Sequence, residues 1–143
     1  MEKRHESLEK CIIQNLETSE DSKSKHLLES LRSAIIKRYL TREEFLSICI
    51  WKSPRPKKHY LKNTEENIQE ITKLAFANKS EEAKIALLTS LQGVSIPVAS
   101  AILTITNPRD YGVIDIRVWQ TLHLYGEVTT KPQGQGFIVA IKI

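Results

Sequence analysis

Glycine and proline are scarce, at five residues each among 143, and with 41% hydrophobic residues this composition excludes a disordered polypeptide. Cysteine occurs only at Cys11 and Cys49, both inside apolar stretches and without CxxC spacing. Neither a zinc site nor a disulfide framework has support, and two buried thiols are expected. The histidines, His5, His26, His59 and His123, form no HxxxH or HxH pair and have no cysteine or carboxylate cluster beside them. No metal and no cofactor are expected. No segment reaches the length of a membrane span, and MEKRHESLEK lacks the apolar run of a signal peptide, so the expectation is an intracellular, cytoplasmic protein without a membrane partner, nucleoid-associated if bacterial. Strand alternation is absent before the last seven residues, and no solenoid repeat is visible.

What is there is helical. The length fits one compact domain or a fragment of a larger one. Apolar residues recur at helical spacing in two segments, Leu8, Cys11, Ile12 and Leu16, then Leu27, Leu28, Leu31, Ile35 and Tyr39, with the polar ETSEDSKSK as a linker. Thr41 with Glu44 reads as a capping box for a third helix reaching about Trp51, ended by the prolines at 54 and 56. Asn63 with Glu66 repeats that spacing and predicts a fourth, with Ile68, Ile71, Leu74 and Ala75 on its apolar face. Ser80 starts a fifth, running to Leu91 and broken by Gly93. A sixth begins near Ser95, whose hydroxyl can cap, and tolerates Pro97 in its first turn; a seventh runs from about Ile116 to Tyr125, stopped by Gly126.

The formal net charge of +4 permits nucleic-acid binding without requiring it. Placement says more. WKSPRPKKHY, residues 51–60, packs Lys52, Arg55, Lys57 and Lys58 between two aromatics. Farther on, LQGVS joins two short helices into a hairpin in which Gly93 can take a positive φ. The first amides of the second helix, those near Ser95 to Val98, then form a phosphate-attracting end, and the turn and helix start at Gly93, Val94, Ser95 and Ile96 are the expected phosphate contacts. Such contacts hold a duplex without reading its sequence. Asp115 follows by a short loop, and two readings of it stay open: a reactive carboxylate beside the hairpin's ligand, or a plain helix cap for the amides near Arg117 and Val118.

LQGVSIPVASAIL followed by YGVIDIRVW resembles the helix-hairpin-helix DNA glycosylases of base excision repair, the endonuclease III-like superfamily. The resemblance runs most strongly from about 88 to 122 and extends over the helices from Thr41 onward. It implies an all-α, helical DNA-glycosylase-like domain: residues 1–40 as N-terminal helices with weak resemblance, 41–126 as the core with its hairpin at 85–104, and 127–143 as an irregular tail. Gly93 matches the first hairpin glycine, Ala99 the small residue of the second helix and Asp115 the aspartate essential for catalysis. Ser95 departs mildly from a common second glycine. Pro97 occupies the position of the Schiff-base lysine of bifunctional members and cannot be that nucleophile. The four-cysteine iron–sulfur motif of some members is missing, so a monofunctional enzyme is implied.

The implied reaction cleaves the N-glycosidic bond of a damaged or mispaired base in double-stranded DNA, after the nucleotide leaves the stack. An ionised Asp115 would stabilise positive charge building on the sugar or orient the attacking water. By position, Trp51 or Tyr60 would stack on the extruded base, Arg55 would fill the gap, and Lys57 and Lys58 would meet phosphates. The alternatives are a non-catalytic helix-hairpin-helix DNA-binding module and an inactive shortened remnant. The last is suggested by the apolar, β-prone FIVAIKI after a native-like part ending near Phe137. A monomer is expected.

Overall fold

The structure, a computed structural model, describes residues 2–14 and 22–128. Leu16 and the tail segment FIVAIKI lie outside the described residues. Among those described the secondary structure is helical and no β-strand forms: α1 (Leu8–Gln14), α2 (Ser22–Ser30), α3 (Arg32–Lys37), α4 (Arg42–Lys52), α5 (Lys57–Tyr60), α6 (Glu65–Ala77), α7 (Glu81–Thr89), α8 (Ile96–Thr106) and α9 (Ile116–Leu124). No helix of the described residues is long and apolar enough to cross a membrane.

Local chemistry explains several helix starts. Thr41 and Glu44 form the reciprocal capping box, each side chain accepting from the other's backbone amide. Ser80 caps α7 through the Ala83 amide. Several expectations need correction. The second apolar segment is two helices, because the chain breaks at Leu31 and α3 closes on Arg38 at φ 61. Its Ile35 is exposed, and the C-terminal part of the expected linker, from Ser22, is already α2. The cap of α6 is Thr64, accepting from the Asn67 amide at 3.2 Å, which frees Asn63 to turn inward. Leu74 is exposed. Ser95 stands at the cap position of α8 without a side-chain cap bond.

α8 is the most enclosed helix, burying Val98 through Leu103. It packs on α4 and α7, and α7 packs on α6. Phe45 and Ile48 of α4, Ile68 of α6, Leu88 of α7 and Ile102 of α8 meet in one core from which water is excluded. Cys49 lies in that core, where burial pushes its thiol pKa up, whereas Cys11 is only half-buried. The loop after α4 meets the α7–α8 turn at Gln92 and Gly93, and the segment leading into α9 meets α8 at Ser100.

Candidate functional site

Ser100 brings the acid to the hairpin. It is a small polar residue buried on α8, and its Oγ accepts the Ile114 amide at 2.9 Å. The hydroxyl lies 2.7 Å from the Pro97 carbonyl and 3.4 Å from that of Ile114; it has one proton, and the shorter geometry favours donation to Pro97. Ile114 then packs with Trp119, one turn into α9, which seats that helix and places Asp115 at its foot.

Asp115 divides its carboxylate. Oδ1 accepts from the Arg117 and Val118 amides, each at 3.0 Å. Oδ2 faces the Lys52 ammonium at 3.4 Å. Partial burial pushes the pKa up, but the Val118 amide, the Lys52 charge and hydrogen bond, and the Arg117 amide outweigh it and hold the carboxyl below its ordinary value. The group is therefore ionised at neutral pH. With 40% of its side chain exposed, it remains open to a reagent.

Lys52 is the last residue of α4, and from it the chain runs through Arg55, Lys57 and Lys58 to the hairpin turn. There the fit is close. A Cβ at Gly93, which has φ +83, would lie 2.8 Å from Tyr60 Cδ1 and 2.9 Å from His59 Cβ. Both the dihedral and the space require glycine. Asn63 locks the same junction: its Nδ2 donates to the carbonyls of Tyr60 at 2.9 Å and Gln92 at 3.0 Å, and its Oδ1 accepts the Gln92 amide at 2.8 Å. Arg42 reinforces the loop from outside, donating to the Asn63 carbonyl at 3.1 Å and the Leu61 carbonyl at 2.9 Å. The basic segment is thus tied to the acid at one end and to the hairpin turn at the other.

Compared with protein-family models, curated proteins and solved structures, the chain matches none. Arg55, Lys57 and Lys58 are exposed, as is Ser95, and Trp51 is 40% exposed. Residues 89–95 line an open cavity of about 370 Å³ at the hairpin turn. The Ile96 and Val98 amides lie in the first turn of α8, where a helix offers no carbonyl partner.

Two expected site residues are corrected. Tyr60 is fully buried, sets its ring edge-on to Phe45 at 6.2 Å between centroids, and donates its hydroxyl to the Ser53 carbonyl at 2.9 Å. It is a core residue that cannot stack on a base. Val94 is also buried, and its amide donates to the Leu91 carbonyl at 3.2 Å, so it builds the turn rather than offering a donor to a ligand. Lys52, Asn63 and Ser100 are the positioning residues that sequence reasoning left out. A serine inside the apolar run VASAIL was the one local signal for Ser100. Among the described residues, no group of three or more His, Cys, Asp or Glu side chains is placed to hold a metal ion.

Proposed function

We propose that this chain is a monofunctional DNA glycosylase of the base excision type, acting on double-stranded DNA with Asp115 as the reactive carboxylate. The observation that carries the reading is the coupling of acid to hairpin: Ser100 of α8 holds the Ile114 backbone, and the next residue presents an ionised, partly exposed carboxylate. The chemistry follows from that charge. As the bond from C1′ to the base breaks, the sugar becomes cationic, and Asp115 stabilises it or orients the water that adds to C1′. An ionised group with several donors fits that role better than general acid work.

Pro97 offers no amine for a Schiff base, so the product is an abasic site with the strand intact. Lys57 and Lys58, with the amides of Gly93, Ser95 and Ile96, take the phosphates. Exposed Trp51 is the aromatic for an extruded base, and Arg55 the side chain for the gap it leaves. A second reading, a non-catalytic module that grips DNA through phosphates, is favoured by Oδ1 of Asp115, because capping α9 alone accounts for that oxygen. The two separate on lesion-bearing duplexes. Base release lost in Asp115→Asn while duplex affinity persists identifies the enzyme; steeply salt-dependent binding without release from any lesion identifies the module.

A further inference from the structure

We propose that Lys52 is a shared cation: its ammonium holds Oδ2 of Asp115 in the free protein and, in the complex, also contacts a phosphate flanking the nucleotide whose sugar meets that carboxylate. The inference rests on the reading of Asp115 as the residue that approaches a DNA sugar. Four observations support it. Nζ of Lys52 lies 3.4 Å from Oδ2, and its side chain is only 17% exposed, so the ammonium is placed rather than loose. Oδ1 is occupied by two backbone amides, which leaves Oδ2 to face the ligand with Lys52 as its flanking charge. Lys52 ends α4, where a cation also suits the carbonyl end of the helix. From Lys52 the chain carries Arg55, Lys57 and Lys58 on to His59 and Tyr60, which pack against Gly93 at the hairpin turn, so the cation opens the same basic segment.

The electrostatic reason is simple. A sugar that reaches Oδ2 brings phosphates on its 3′ and 5′ sides, and an uncompensated carboxylate repels both. An ammonium has three donors, so with one on Oδ2 two remain for a phosphate oxygen, and the second contact needs no loss of the first. A compact point charge on a flexible stem suits a site that serves two anions.

The test is equilibrium binding of the full chain to a duplex carrying a tetrahydrofuran abasic analogue, which has no base to release. Salt is varied from about 50 to about 200 mM, for wild type, Lys52→Met, Lys52→Arg and Asp115→Asn. In Lys52→Met the salt slope is expected to fall by about one, so the affinity lost across that range shrinks by about 4-fold; Lys52→Arg restores the slope. Asp115→Asn, which keeps a capping side chain and removes the repulsion, is expected to bind more tightly, and this arm stands even if Lys52→Met does not fold. A lysine that only oriented Asp115 would leave the slope where it was. An unchanged slope in folded Lys52→Met, or an Asp115→Asn protein no tighter than wild type, overturns the inference alone. A wild-type chain with no salt-dependent binding overturns the DNA reading together with it.

Discussion

Replacing Asn63 by alanine removes the junction between the basic loop and the hairpin turn, and its cost can be worked from the geometry. Three hydrogen bonds of 2.8 to 3.0 Å are lost from a side chain in a residue 4% exposed. Each neutral bond contributes a net of about 1 kcal/mol, giving about 3 kcal/mol, and partial rehydration of the Gln92 backbone lowers the expectation to about 2 kcal/mol. For a chain of this size that corresponds to a fall in Tm of roughly 6 to 8 °C. Urea denaturation followed by circular dichroism measures it. Gln92→Ala is the control, because both Gln92 contacts use its backbone; it should stay within about 0.5 kcal/mol of wild type. An Asn63→Ala protein as stable as Gln92→Ala would show that these three bonds do not hold the junction.

Gly93→Ala is expected to cost more than Gly126→Ala, although both glycines have positive φ, because only the first meets neighbouring atoms. The dihedral alone accounts for about 1 to 2 kcal/mol at each site, and denaturation of the two variants exposes the extra loss at Gly93. Asp115 has a folded pKa below its ordinary 3.8, so its charge stabilises the fold above that value and the contribution is lost as pH falls through the folded value. The Tm difference between wild type and Asp115→Asn should therefore shrink on acidification from about pH 6 to about pH 2, and a difference independent of pH contradicts it. Thr41→Ala breaks the capping box of α4 and should cost about 1 kcal/mol in the same denaturation assay.

Helix periodicity and caps made much of the fold legible: Thr41, Ser80 and Asp115 each stand at a helix start where the sequence placed one. Asn63 misled because Asn and Thr are adjacent and each has a plausible partner three residues on; burial of Asn63 against Gln92 decided for Thr64. The single turn of α5 was missed for lack of an apolar period, and Tyr60 was misread because its basic neighbours suggest a surface while its ring faces Phe45. Lys52 was visible as part of a basic stretch but not as Asp115's partner. The pair is 63 residues apart, a separation across which local patterns carry no information.

Substitutions of Asp115 that keep the cap of α9 separate its proposed chemistry from its capping role. Asparagine and serine both cap helices well, so Asp115→Asn and Asp115→Ser should fold with stability within about 1 kcal/mol of wild type at neutral pH. Base release would be measured on duplexes bearing a panel of oxidised, alkylated, deaminated and mispaired bases, with alkali added afterwards to reveal abasic sites. The expected result is release by wild type, strand breaks only after alkali, and loss of release in both variants. Undiminished release in the cap-preserving variants, or none from folded wild type on any lesion, would leave Asp115 as the cap of α9 alone.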